Sequence, residues 1–135
     1  MTTEDDNKAI VRRWIDEAYR LGKLGIVDEL FAPDYAANGR RLGRDGVKGA
    51  VTMIKTAFPD ITVDVEEIVA EGERVVVRVT TRGTHLGPFM GMPATGRSMT
   101  MGGILIYRVV DGLIVEDHEA VDEAGMLRQL GAIGT

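Results

Sequence analysis

Four consecutive residues, Glu116-Asp117-His118-Glu119, form the densest group of proton-exchanging side chains in the chain, with Asp122 just beyond. Carboxylates and imidazoles are the groups with which proteins most often move protons to and from carbon and oxygen. The stretch Leu113 to Val121 reads as a strand, in which successive side chains point to opposite faces. Alternation places Asp117 and Glu119 on one face with Val115 and Val121. It places Glu116 and His118 on the other with Ile114 and Ala120. A carboxylate on an inward face is desolvated, and its pKa rises toward the range useful for proton transfer. If both faces are wet, the same acids are only a solvated charge run. The other histidine of the chain, His85, stands where a strand runs into the loop Gly83 to Arg97. There it could hydrogen-bond a substrate oxygen or shuttle a proton, or its ring could hold the loop backbone.

Residues that could shape a binding pocket lie nearby in the pattern. Trp14 and Tyr19 fall on the apolar stripe of the first helix, as core anchors or as walls for a ring-shaped ligand. Tyr35 and Asn38, after the second helix, could supply polar contacts or simply turn the chain. The loop tip carries Phe89 and Met90 between Pro88 and Pro93, a lid-like arrangement. Met99, Met101, Gly103, Leu105 and Tyr107 share one face of the next strand. Methionine adapts to irregular apolar surfaces, in a ligand site or in a core. Arg78 and Arg82 could bind an anionic substrate group, but read first as surface partners of acids on neighbouring strands. Arg40, Arg41 and Arg44 read as solvated.

Several function classes fall away. The chain has 135 residues, net charge −5 and no cysteine, which removes disulfides, thiolate metal sites and cysteine nucleophiles. There is no basic block of the kind that binds nucleic acid. Ser98 is the one serine and no G-x-S-x-G elbow surrounds it. Walker A and dinucleotide fingerprints are missing. No metal and no cofactor is expected. The acidic start Met1 to Asp6 is unlike a signal peptide, and no run is apolar enough to span a membrane. A cytoplasmic protein without membrane attachment is the expectation.

The elements that must position these residues follow from periodicity. Residues 8–21 repeat apolar side chains at helical spacing, ended by Gly22. A shorter helix is expected from Leu24 to Ala32, stopped by Pro33. An extended segment, Asp34 to Asn38, precedes a basic turn, Gly39 to Gly43. Asp45 opens a third helix that Pro59 closes. The period then changes to two: Ile61, Val63 and Val65, then Val75, Val77 and Val79, then Ser98 to Val110, then Leu113 to Val121. Asp111-Gly112 is a strong hairpin signal, and Asp122 is placed to cap a last helical turn through Leu130. Helices followed by a meander indicate an α+β domain over 1–135 with an antiparallel sheet.

Four segments line up in order with one known family. They are Ala32-Pro33-Asp34-Tyr35, Ala57-Phe58-Pro59-Asp60, the loop Gly83 to Gly96 with its G-x-H-x-G and P-x-T-G spacing, and Asp111 to Asp122 running on to Leu127-Arg128-Gln129-Leu130-Gly131. The chain resembles the SnoaL-like polyketide cyclases of the NTF2-like superfamily. The resemblance implies a cone-shaped barrel: helices packed on a strongly curved antiparallel sheet around one deep pocket. It also implies a cofactor-free intramolecular aldol condensation, in which an acidic side chain on the last strand exchanges protons with the substrate. Counted from Asp111-Gly112 and from Arg128-Gln129-Leu130-Gly131, that acid is Glu119, where the cyclases carry aspartate. Leu105 stands where they carry a histidine, His85 matches the loop histidine, and Tyr19 matches an aromatic pocket position.

The reading is therefore a cyclase or isomerase for an apolar, ring-containing molecule, with Glu119 as principal acid/base and His85 and Asp117 as assistants. The expected pocket residues are Trp14, Tyr19, Tyr35, Asn38, Phe89, Met90, Met99, Met101 and Leu105. A homodimer is expected. The alternatives are another NTF2-like enzyme (epoxide hydrolase, dehydratase or ketosteroid-type isomerase) and a non-catalytic binder of apolar ligands.

Overall fold

The computed structural model describes residues 2–133. Helix α1 (Thr3–Ile15) starts at a capping box between Thr2 and Asp5. It runs on into a wider π-helical turn, Asp16–Arg20. Helix α2 is short, Ile26–Leu30. Strand β1 spans Phe31–Ala37, and the two-residue strand β2 (Arg40–Arg41) folds back on it. Helix α3 covers Gly43–Ala57. Strands β3 (Thr62–Glu71), β4 (Arg74–Thr84), β5 (Ser98–Val110) and β6 (Leu113–Val121) follow. Helix α4 (Glu123–Leu130) closes the order, with the Asp122 side chain accepting from the Gly125 amide as expected.

One sheet of six strands results, in the order β2-β1-β6-β5-β4-β3. Neighbours from β3 to β6 are antiparallel, as the hairpin signals required. Asp111 and Gly112, at φ 51° and 80°, supply the left-handed pair that a tight hairpin needs between β5 and β6. The pairing of β1 with β6 is parallel, so the sheet is mixed where a purely antiparallel one was expected. Phe31 and Ala32 also differ from expectation: they belong to β1 and not to the second helix. Phe31 aligns with Ile114 of β6, and long-range strand pairing outweighs the local helical pattern.

Besides the register step between Phe31 and Ala36 of β1 against β6, two bulges bend the sheet. On β3 the register steps between Val65 and Glu67, leaving Glu66 unpaired against β4. On β6, Glu116 faces Arg108 while Ile114 faces Val109, so Val115 is the extra residue. Such bulges increase local twist and turn a strand's faces over. Beyond each, the inward residues change parity: Val63 and Val65 give way to Ile68 and Ala70, and Ile114 gives way to Asp117. Ile114 is fully buried and so lies on the inner face, not with Glu116 and His118 as simple alternation had it.

Helices α1 and α2 and the inner faces of the strands make one apolar cluster, built on Val11, Trp14, Phe31, Val77 and Ile114. A second cluster joins the end of α3 (Ala57, Phe58) to Phe89, Met99 and α4 (Met126, Leu130). On the outer face, Arg78 pairs with Glu67 at 2.7 Å and Arg82 with Asp64 at 2.8 Å, which meets the expectation of surface pairing. Among the described residues, no helix is long and apolar enough to cross a membrane.

Candidate active site

A cavity of about 490 Å³ opens between the helices and the concave face of the sheet. That is within the roughly 300–1,000 Å³ range of small-molecule sites. Its walls are mostly apolar. Trp14 and Tyr19 come from α1 and the turn that follows it, Phe31 and Tyr35 from β1, and Met99, Met101, Leu105 and Tyr107 from β5. The aromatic rings interlock edge to face: Trp14–Tyr19 at 6.0 Å, Trp14–Phe31 at 4.5 Å and Phe31–Tyr35 at 4.9 Å between centroids. Phe31 and Tyr107 are pocket residues that the sequence reading did not assign. Tyr107 could have been found from its alternation with Met101 and Leu105. Phe31 could not, because the pattern from Leu24 to Ala32 is that of a helix.

Asp117 and Glu119 both line this cavity. The register pairs Leu105 with Glu119 and Tyr107 with Asp117, which sets the two acids on adjacent rungs of the inner face. Glu119 keeps an exposed edge, the burial of the rest of its side chain raises its pKa, and any charge on Asp117 adds to that rise. Burial also raises Asp117, against an opposing pull from the nearby Tyr35 hydroxyl and from His118. Tyr19 is pushed up to about 12 by burial, with Glu119 and Asp117 adding their negative field. Tyr35 and Tyr107 are raised for the same reasons, burial first. A third acid, Glu123, reaches the cavity from the first turn of α4. Among the described residues, no lysine, arginine or histidine lines the cavity. Among the described residues, no group of three metal-ligating side chains is placed to hold an ion.

Two expected site residues take other places. His85 is fully buried and does not line the cavity. Its Nδ1 accepts from the Thr95 amide at 3.2 Å and lies 3.0 Å from the Thr95 hydroxyl. Its backbone accepts from Gly96 and donates to Arg97. The ring therefore closes the base of the loop, and its buried Nε2 has no hydrogen-bond partner among the described residues. Asn38 also lies outside the cavity wall. Its amide N–H donates to the Asp117 carbonyl and its Oδ1 accepts from the Glu119 amide, both at 2.9 Å. Asn38 thus fixes the backbone that presents both acids. Its left-handed φ of 50° is one that asparagine tolerates well.

The loop between β4 and β5 forms one wall. Phe89 and Met92 exchange backbone hydrogen bonds around a Met90-Gly91 turn, both residues at positive φ. Phe89 is buried, whereas Met90 is 63% exposed and still faces the cavity. The Leu86 and Gly87 amides donate to the Ala57 carbonyl at the end of α3. A side chain at Gly87 would run into the backbone carbonyl of Thr56. Gly87→Ala is accordingly expected to lower stability by roughly 1–3 kcal/mol, the usual range for overpacking. Urea unfolding checks this, and an unchanged midpoint would show that the loop has room to shift.

A family model described as SnoaL-like polyketide cyclase matches residues 9–130. The chain is 36% identical to the aklanonic acid methyl ester cyclase DnrD of Streptomyces peucetius, over 97% of this chain and 92% of that protein. It is 31% identical to the nogalonic acid methyl ester cyclase of Streptomyces nogalater, over 84% of this chain and 90% of that protein. Among solved structures, TsrD from Streptomyces laurentii superposes with a TM-score of 0.89 at 28% identity, covering 98% of this chain and 100% of that one. With an acid-bearing apolar cavity inside the expected fold and relatives matching along nearly its whole length, the chain belongs to the SnoaL-like polyketide cyclases.

Proposed function

We propose that the protein closes a ring by intramolecular aldol condensation on an apolar aromatic polyketide ester, without a cofactor, with Glu119 as acid/base. The observation that carries this reading is the placement of Glu119 on the cavity wall opposite Leu105, where its proton affinity is raised. The Glu119 carboxylate takes a proton from carbon next to a carbonyl. The carbanion attacks a second carbonyl of the same molecule, and Glu119 returns the proton to the new alkoxide. Edge-to-face aromatic walls and flexible methionines suit a fused planar ring system. The names of the relatives supply the substrate class to test: aklanonic acid methyl ester and nogalonic acid methyl ester. Cyclisation leaves mass unchanged, so a new chromatographic peak of equal mass supports the reading. Recovery of both esters untouched, with saturable binding, would favour a ligand-binding module instead.

The pH profile follows from the site. Below its pKa Glu119 is protonated and cannot act as base, so kcat/KM falls on the acid side. The acid limb is expected above the ordinary glutamate value of about 4.3. A limb at or below that value would place Glu119 in open water. We also propose a cytoplasmic homodimer, in which a second copy covers the outer sheet face where Val69 and Ile104 stand exposed. Light scattering tests it, and a single-chain mass would remove it.

A further inference from the structure

Asp117 is the buried acid that the assignment of Glu119 as base leaves unused. It is 7% exposed, and its Oδ1 is buried with no hydrogen-bond partner among the described residues, while the nearby Tyr35 hydroxyl is a neutral donor that offsets a buried charge only in part. Three elements present phenols toward the two acids: Tyr19 from the π-helical turn, Tyr35 from β1 and Tyr107 from β5. These are all the tyrosines in the chain. The other titratable groups facing the cavity are Glu119 on the same strand and Glu123 at the start of α4, while His118 points to the opposite face of β6. Neither Asp117 nor Glu119 forms a salt bridge among the described residues, although outer-face acids such as Glu116 do.

An unpaired buried charge is costly enough that the group neutralises instead. Two carboxyls in one site also resist double ionisation. Of the pair, Glu119 keeps an exposed surface and Asp117 does not. Burial thus favours the proton on Asp117 over Glu119. A neutral carboxyl is a hydrogen-bond donor, which a carboxylate is not.

Resting on the reading of Glu119 as base, we propose that Asp117 acts as a neutral acid that donates a hydrogen bond to the substrate carbonyl oxygen while Glu119 removes the adjacent proton. The C–H bond breaks, its proton passes to the Glu119 carboxylate, and its electron pair moves onto the carbonyl oxygen as an enolate. The Asp117 O–H holds that oxygen and keeps its own proton. As the enolate collapses back to a carbonyl, its carbon bonds to the second carbonyl carbon. The π pair of that second carbonyl moves to its oxygen, which takes the proton from Glu119. Both acids end as they began. A donor aimed at developing oxygen charge is among the strongest catalytic devices available.

Asparagine keeps a donor at this position and alanine does not. With aklanonic acid methyl ester as substrate, Asp117→Asn is expected to retain kcat within about tenfold of the parent, and Asp117→Ala to lose roughly 10²–10³-fold. Equal loss in both variants, or no loss in either, overturns the proposal. Carbon-13 spectra of labelled carboxyls, compared between the parent and Asp117→Asn without substrate, give a reading that needs no turnover and no alanine variant. The resonance lost in Asp117→Asn is expected to be that of a protonated carboxyl at pH 7, and a carboxylate resonance there overturns the proposal. Full turnover by Glu119→Gln would instead remove the base assignment, leaving the carbon-13 result to speak for Asp117 alone.

Discussion

Glu119→Gln is expected to lower kcat on a cyclising substrate by about 10²–10⁴-fold, the usual contribution of a positioned general base. KM should change little, because glutamine keeps the shape of the side chain and its contact with the cavity wall. The variant should fold, since the backbone of Glu119 is held by Asn38 and by pairing with Leu105, neither of which needs the carboxylate. Its stability should move opposite to its activity. A carboxyl whose pKa is higher in the folded than in the unfolded state favours folding when protonated, and that advantage is lost as pH rises through the folded pKa. Glu119→Gln should therefore melt above the parent at pH 8, with the difference closing as pH falls toward 4. Thermal unfolding at the two pH values and steady-state kinetics check both halves. A variant with normal turnover would show that the proton acceptor is elsewhere.

Phe58→Ala is expected to cost about 3–5 kcal/mol, the range for truncating a buried aromatic ring. Phe58 is 1% exposed and stands where three parts of the site meet. Its ring centroid is 5.6 Å from that of His85, at the base of the loop, and 5.4 Å from that of Phe89, near the tip. Its amide closes the last turn of α3 on the Ile54 carbonyl. The lost ring should unseat the loop as well as weaken the core, so hydrogen exchange at residues 86–96 should accelerate more than at β4 and β5. Phe58→Leu should recover most of the stability. A loss below about 1 kcal/mol for the alanine variant would mean that the loop repacks without this ring.

The helices and strands were legible because their periods are clean. Val75, Val77 and Val79 alternate with Arg74, Val76, Arg78 and Thr80, and all three are buried. Asp111-Gly112 and Asp122 each met the backbone requirement that their residue types suggest. Both inward acids were also placed correctly, since they lie beyond the Val115 bulge, where alternation resumes. Ile114 lies on the near side of the bulge, and its burial could not be read from alternation. No local signal marks Val115 or Glu66 as extra residues. Each is set by pairing with a strand elsewhere in the chain, and together they give the curvature that makes a hollow.

The parallel β1–β6 pairing was hidden for the same reason, and with it the position of Tyr35 beside Asp117. Histidine chemistry misled at position 85. A residue type able to shuttle protons is used here to fasten Thr95, Gly96 and Arg97, and nothing in the loop sequence separates the two roles. Asn38 shows the reverse. Its type suggested a ligand contact or a turn, and it serves as the turn residue that pins the strand carrying both acids.

The central claim is that the Glu119 carboxylate removes a proton from carbon. Solvent exchange tests it most directly: aklanonic acid methyl ester is incubated in deuterium oxide with the parent protein or with Glu119→Gln, and deuterium at the carbon beside the carbonyl is followed by mass spectrometry. The parent is expected to exchange this position and Glu119→Gln to leave it at the uncatalysed rate. Equal exchange by the two proteins would contradict the account.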